Sequence, residues 1–271
     1  MEARNKHFDA IPDIVADYMK KISEIKEELQ AAKDDMLPVF VKEYESDERS
    51  GVQALVAKAH KRMEAIEHEI ARTEQMKKYE KEYASYGYIC GIDEVGRGPL
   101  AGPVVAGAVI LPKDCSILYL NDSKQLSARK REELYEVIMK EAVATGIGYA
   151  SPERIDEINI LQATYEAMRE AIKGLGVEPW LLLNDAVTIP GVEIPQIPIV
   201  KGDAKSVSIA AASILAKVTR DHMMMEYDEI YPGYGFGKHK GYGTKAHIEA
   251  LKTLGPCPIH RGSFIGHFVE V

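Results

Sequence analysis

The chain has 271 residues, 46% hydrophobic and 28% charged, with a formal net charge of −8. That balance fits one large folded domain or two unequal ones and excludes disorder as the main state. The acidity excludes a uniformly basic nucleic-acid coat, although a local basic groove stays open. Cys90, Cys115 and Cys257 have neither the number nor the spacing for a disulfide framework or a cysteine zinc site, so a reducing cytoplasm is expected. The N-terminal residues carry charges of both signs and no apolar run, which predicts no signal peptide. The longest uncharged stretch, Gly98 to Pro112, is too short and too broken by Gly and Pro to predict a membrane helix.

Residues 1–85 read as helical. Apolar residues recur at steps of three or four at Ile11, Val15, Tyr18, Ile22, Ile25 and Leu29, and again at Val52, Leu55, Ala59, Met63, Ile66 and Ile70. A break around Pro38 and Ser46-Asp47 separates the two series, and Ser50 is a candidate cap for the second. The expected form is an antiparallel helical hairpin. It holds 15 Lys and Arg against 19 Asp and Glu, so it is no basic arm, and packing or stability is its plainest role.

From Tyr86 onward the texture changes. YGYICGID and VVAGAVIL read as strands, followed by a charged helix after Ser127 and a third strand at IGYA. The run ILQATYEAMREAIKGL reads as a helix ending at Gly174-Leu175-Gly176. WLLLND and IPIVKGD read as short strands, with Trp180 expected to be buried, and SIAAASILAKVTRDHMMMEY as a long helix whose methionines pack. Strands followed by alternating helices and strands predict an α/β domain with a mixed sheet over residues 86–271, its C-terminal portion helical.

Three of these strands end in acids: Asp93-Glu94, Asp185 and Asp203. Sites in open α/β sheets gather at the carboxyl ends of strands. Carboxylates brought together there repel one another unless a proton or a cation joins them, and hard oxygen donors suit Mg²⁺ or Mn²⁺. Taken alone, Asp203 reads as a helix cap and Asp185 reads equally well as a turn acid. The adjacent pair Asp93-Glu94, between GI and VGRG, reads as a site.

Gly96-Arg97-Gly98-Pro99-Leu100-Ala101 matches G-x-G-x-x-A after a strand, the pattern of a dinucleotide fingerprint. Pro99 and the strand-like VVAGAVIL that follows are the wrong context, so a dehydrogenase is the weaker reading. The segment does offer close backbone approach at Gly96 and Gly98, and Arg97 can meet a phosphate. Cations cluster at Lys124 and 129–131, at Lys217, Arg220 and His222, and along GYGFGKHKGYGTKAH, where Tyr234, Phe236 and Tyr242 are interleaved. The 129–131 run reads as a solvated helix face. The 233–247 stretch reads as a glycine-rich loop lying on a nucleic-acid backbone, with His239 and His247 as phosphate donors or surface residues.

IDEVGRGPLAGPVVAGAVIL (92–111), NDSKQLS (121–127), LLLND (181–185), KGDAKSVSIAAASILAKVTRD (201–221), GYGFGKHKGYGT (233–244) and HRGSF (260–264) together resemble the type 2 ribonuclease H family, bacterial ribonuclease HII. The resemblance spans residues 86–265. It implies a ribonuclease H-like five-stranded mixed sheet flanked by helices, with four catalytic and metal-binding carboxylates at Asp93, Glu94, Asp185 and Asp203. It also implies that Gly96, Arg97 and Gly98 read the ribose 2′-OH and that Tyr242 packs on the adjoining deoxyribose, with Tyr234 in a similar setting. Lys124, as a member of the local cation cluster, is expected to meet substrate. Asn184 departs from the apolar residue expected there, a change of packing more than of chemistry. The helical start and the G-R-G sequence separate the chain from the sister ribonuclease HIII type, and residues 1–85 resemble the helical extension of some Firmicutes members. The implied activity is two-metal hydrolysis, with Mg²⁺ or Mn²⁺, of the RNA strand of RNA–DNA hybrids and of duplex DNA on the 5′ side of single embedded ribonucleotides. The expected products carry 3′-OH and 5′-phosphate ends, and the enzyme is expected to act as a cytoplasmic monomer.

Overall fold

The computed structural model describes residues 20–269, and the chain divides into two compact units, Met1–Ala71 and Arg72–Val271. Ile11, Val15 and Tyr18 lie outside the described residues. In the first unit, α1 (Ile22–Ala31), a 3₁₀ turn at Asp34–Met36, α2 (Leu37–Tyr44) and the start of α3 (Ser50–Met76) enclose their own core. That core is built from Ile25, Leu29, Leu37, Phe40, Val41, Tyr44, Val52, Val56 and Ala59. The expected two-helix hairpin is thus corrected: Pro38 opens α2 rather than breaking a helix. Proline lacks only an N–H that the first helical turn leaves unpaired in any case. Ser50 is the first residue of α3, not its cap.

The second unit begins inside α3 and continues through α4 (Lys78–Glu82) into a five-stranded sheet. The strands are β1 (Ile89–Val95), β2 (Val104–Ile110), β3 (Ala144–Ala150), β4 (Leu181–Asp185) and β5 (Gln196–Ile199). Their order is β3-β2-β1-β4-β5. β1 and β3 pair antiparallel with β2, whereas β1, β4 and β5 run parallel. Both faces are covered, so the central strands read as apolar runs, broken in β1 and β4 only by the polar residues near their carboxyl ends.

One face carries α6 (Pro152–Gly174). This element is two helical segments joined at Asn159, whose φ of 71° is non-helical. The Asn159 side chain accepts from Leu161 N and Gln162 N and so caps the second segment, which starts at Ile160 as the sequence pattern predicts. The other face carries α7 (Val207–Ile230) and α5 (Ala128–Glu141), capped by Ser206 and Ser127 respectively. α7 lies so close to the sheet that a β-carbon on Gly91 would stand 2.0 Å from Ser208 C, and one on Gly107 would stand 2.6 Å from Ala212 O. Ile209, Ile214 and Leu215 of α7 are fully or almost fully buried, each contributing about 1.5–3 kcal/mol of apolar transfer. Residues 72–85 pack with this unit: Glu80 accepts from Ser206 Oγ (2.5 Å) and Ser208 N (3.0 Å) at the start of α7, and Met76 joins the core beneath it.

Trp180, expected to be buried, is 62% exposed. It stands just before the interior strand β4, at that strand's N-terminal end, where its amide donates to Tyr88 O and its ring lies beside Gly87. The methionine run splits as a helix face must, with Met224 buried and Met225 exposed. No helix among the described residues is long and apolar enough to cross a membrane.

Candidate active site

Pairing of Ile92 with Asn184 sets the next residues, Asp93 and Asp185, side by side at the ends of parallel neighbours β1 and β4. Glu94 follows Asp93, and Asp203 sits in the 3₁₀ turn Gly202–Ala204 beyond β5. Asp203 does not cap the long helix, because Ser206 does. Asp185 Oδ1 accepts from Gly202 N (2.7 Å), which ties the β4 acid to the turn bearing Asp203.

The charge of Asp185 bears on each of the other three acids. Burial, then the charges of Glu94 and Asp185, push the Asp93 carboxyl well above the usual carboxylate range, against a hydrogen bond from Ser213. Burial raises Glu94 too, opposed by Arg97 at 3.3 Å and reinforced by Asp185. Burial, Asp122 and Asp185 raise Asp203, while Lys124 lowers it. The four predicted acids and Lys124 therefore share one electrostatic neighbourhood.

Two members were not singled out from sequence. Ser213, one face of α7 above Asp93, lies 3.0 Å from Ser123 Oγ, and Asp122 caps the turn that carries Lys124. The only sequence signal for Ser213 is a polar residue in an otherwise apolar helical run.

Among the described residues, no three acidic, histidine or cysteine side chains converge tightly enough to enclose a metal ion. Each acid instead leans on a local donor: Glu94 N and Ser213 for Asp93, Arg97 for Glu94, Gly202 N for Asp185 and Ala204 N for Asp203. The donor set, four carboxylates in one neighbourhood with Asp93, Glu94 and Asp203 held above the usual carboxylate range, is nevertheless what hard divalent cations bind.

The glycine segment leaves β1 at Gly96, whose φ of 91° favours glycine and whose β-carbon would meet Arg220 Nε at 2.3 Å. Gly98 has nothing within 4 Å of such an atom and faces open space. No helix follows; the chain runs into β2, which removes the pyrophosphate-binding helix terminus a dinucleotide fingerprint requires. Asn184 is fully buried on the opposite face of β4 from Asp185. Its amide donates to Gln196 Oε1 (2.8 Å), while its own Oδ1 has no hydrogen-bond partner among the described residues.

The 233–247 stretch is not a loose loop. It contains α8 (Phe236–His239) and leads into α9 (Lys245–Leu254). Tyr234, Phe236 and His247 are buried, and Tyr234 donates its hydroxyl to Gly255 O. Tyr242 is 40% exposed, so of the two tyrosines it is the one presented to solvent. His247, expected as a phosphate donor or surface residue, is inside. The tautomers follow from the carbonyl end: Tyr242 O only accepts, so His247 Nδ1 donates to it (2.9 Å), and His247 Nε2 accepts from His260 Nε2 (3.1 Å). His260 Nδ1 in turn accepts from Cys257 N (3.0 Å). A chain of neutral imidazoles thus ends on the backbone of Tyr242.

Burial and the neighbouring His247 hold the His260 imidazole at about 4, below its ordinary 6.5. The unfolded chain therefore takes up this proton first. The stability that neutral His260 brings is complete above about 6.5 and is lost as pH falls toward 4. Thermal midpoints between pH 7.5 and 4.5 are expected to fall more steeply for the wild type than for His260→Gln; parallel slopes would refute the assignment.

An acid cluster at the carboxyl ends of adjoining strands in a β3-β2-β1-β4-β5 mixed sheet, backed by helices, describes a nuclease domain of the ribonuclease H type. Residues 90–267 match the Ribonuclease HII family model and residues 21–84 match the Ribonuclease HII N-terminal domain. The Ribonuclease HII of Lachnoclostridium phytofermentans is 64% identical over 245 residues, covering 90% of this chain and 96% of that protein. That of Clostridioides difficile is 53% identical over 248 residues, covering 91% and 97%. Among solved structures, the ribonuclease H2 of Pyrococcus horikoshii superposes with a TM-score of 0.54 at 28% identity, over 65% of this chain and 93% of that one. The chain belongs to the ribonuclease HII family and is a ribonuclease H enzyme.

Proposed function

We propose that the enzyme cleaves the RNA strand of RNA–DNA hybrids and cuts duplex DNA on the 5′ side of single embedded ribonucleotides, leaving 3′-OH and 5′-phosphate ends. The observation that carries this reading is the juxtaposition of the four acids with a glycine segment open at Gly98. Asp93, Glu94, Asp185 and Asp203 would hold two Mg²⁺ or Mn²⁺ ions. Such ions, when bound, lower the pKa of an attacking water and neutralise charge on the phosphate and the leaving 3′-oxygen.

The rest falls to the chain itself. The backbone of Gly96, Arg97 and Gly98 lies against the ribose, where reading the 2′-OH separates RNA from DNA without regard to base. Tyr242 offers an exposed ring to the neighbouring deoxyribose, and Lys124 and Arg97 offer cations to phosphates. The three free cysteines fit a reducing cytoplasm, and the enzyme acts as a monomer.

The test is a duplex carrying one ribonucleotide, incubated with Mg²⁺ or Mn²⁺. A single cut 5′ of the ribonucleotide, lost in chelator and absent from the all-DNA duplex, is expected. An intact ribonucleotide strand beside an efficiently cut long hybrid would overturn the embedded-ribonucleotide part of the reading.

A further inference from the structure

Arg220 and Arg261 are both fully buried, and among the described residues their guanidinium groups donate to backbone carbonyls. Arg261 donates to Gly96 O (2.6 Å), Arg97 O (2.9 Å) and Gly102 O (2.9 Å from Nε and 2.8 Å from Nη2). Arg220 donates to Pro103 O (2.9 Å), Ala101 O (3.1 Å) and Lys240 O (2.9 Å). Burying two cations this close is unfavourable: desolvation lowers Arg220 to about 10, and desolvation together with Arg220 lowers Arg261 to about 9. The gain is geometric, since a planar guanidinium fixes several carbonyls at once where an ammonium fixes them singly.

The carbonyls held are those of two separate segments. Five of them, from Gly96 to Pro103, belong to the glycine segment, and the sixth, Lys240, lies two residues before Tyr242. Backbone bonds reinforce the tie: Leu100 N donates to Gly241 O, Gly102 N to Ile259 O and Arg261 N to Leu100 O, each at 2.8–2.9 Å. We propose that Arg220 and Arg261 are positioning residues that fix the spacing between the glycine segment and Tyr242, and that this spacing sets the enzyme's preference for an RNA–DNA junction over a continuous hybrid. The proposal rests on the reading of those two segments given above. A junction places a ribose on one segment and a deoxyribose on the other, so it alone needs both at a fixed separation. Arg261 thereby accounts for the HRGSF sequence and Arg220 for the end of the KVTRD run, neither of which the acid site uses.

The experiment compares wild type, Arg220→Lys and Arg261→Lys. Lysine keeps the charge and loses the fork. Single-turnover rates are measured on a duplex with one ribonucleotide and on a continuous hybrid, and their ratio is taken because it is independent of the folded fraction. The ratio is expected to fall at least tenfold in both variants, with Mn²⁺ binding by calorimetry within twofold of wild type. A ratio within twofold of wild type, with both rates falling in step, would mean that the arginines are merely structural and would overturn the proposal. Hydrogen exchange gives a readout that needs no activity. The Leu100 and Gly102 amides are expected to be slow in the wild type and at least tenfold faster in either variant that folds. Fast exchange of those amides in the wild type would overturn the clamp even if neither variant folds. A wild type that leaves the single ribonucleotide uncut would instead refute the reading of function while the exchange data still decide the clamp.

Discussion

Asp93→Asn is expected to lower cleavage by about a thousandfold or more while raising the thermal midpoint measured in chelator. The two effects have one origin. Asp93 is buried and faces Glu94 and Asp185, so its charge is unfavourable in the folded chain without a cation. Its folded pKa lies above the unfolded value. The folded state is therefore penalised as pH rises through that pKa, and asparagine removes the penalty. The stability gain should be present at pH 7.5 and shrink toward pH 4, where the unfolded carboxyl also protonates. Asparagine has one neutral oxygen where the carboxylate had a charged pair, which explains the expected kinetic loss on the scale of a removed transition-state charge partner. Cleavage rates at saturating Mn²⁺ and unfolding curves in chelator check both. Full activity in the variant would remove Asp93 from the site.

The glycine segment yields the second large expectation, because its two outer glycines differ in kind. Gly98→Ala adds a methyl group to open space in the free enzyme, so stability should be unchanged within about 0.5 kcal/mol. That space is where the ribose would lie. Activity on a single embedded ribonucleotide should drop at least thirtyfold, against no more than twofold for Lys130→Ala, whose ammonium sits over the Tyr119 ring at 4.6 Å. Gly96→Ala should instead destabilise by about 2–4 kcal/mol, combining a strained φ with a collision against Arg220. Equal losses for Gly98→Ala and Lys130→Ala would count against backbone reading of the sugar.

Much of the molecule could be read in advance because its signals are local. Apolar runs ending in acids marked β1 and β4, Ser127 announced α5, and the positive φ of Gly176 closes the helix that its Gly-Leu-Gly ending predicted. Asp93-Glu94 was legible because a strand end places the pair, whereas Asp185 and Asp203, each readable alone as a turn or cap acid, joined it only through the family resemblance. What escaped was long-range. Nothing near Arg220 or Arg261 in the chain shows that their partners lie more than a hundred residues earlier, at Ala101, Pro103, Gly96, Arg97 and Gly102. His247 reads as one more polar residue of a basic stretch until His260 supplies its partner across a turn. Pro38 looked like a break because a proline that ends a helix and one that begins it have the same sequence, and only the following turn tells them apart. Ser213 sits beside Asp93 solely because α7 crosses β1, a matter of topology.

The seating of α7 on Gly91 and Gly107 bears on how this enzyme can drift in evolution. Where a helix rests on side chains, each exchange of a leucine for a valine shifts it by a fraction of an ångström, and related proteins accumulate such shifts. Here main chain meets main chain beneath Ser208 and Ala212, so the height of the helix above β1 does not depend on the volume of any side chain. Sequence change elsewhere in the core is free to proceed without moving Ser213 relative to Asp93. The two glycines themselves are closed even to alanine.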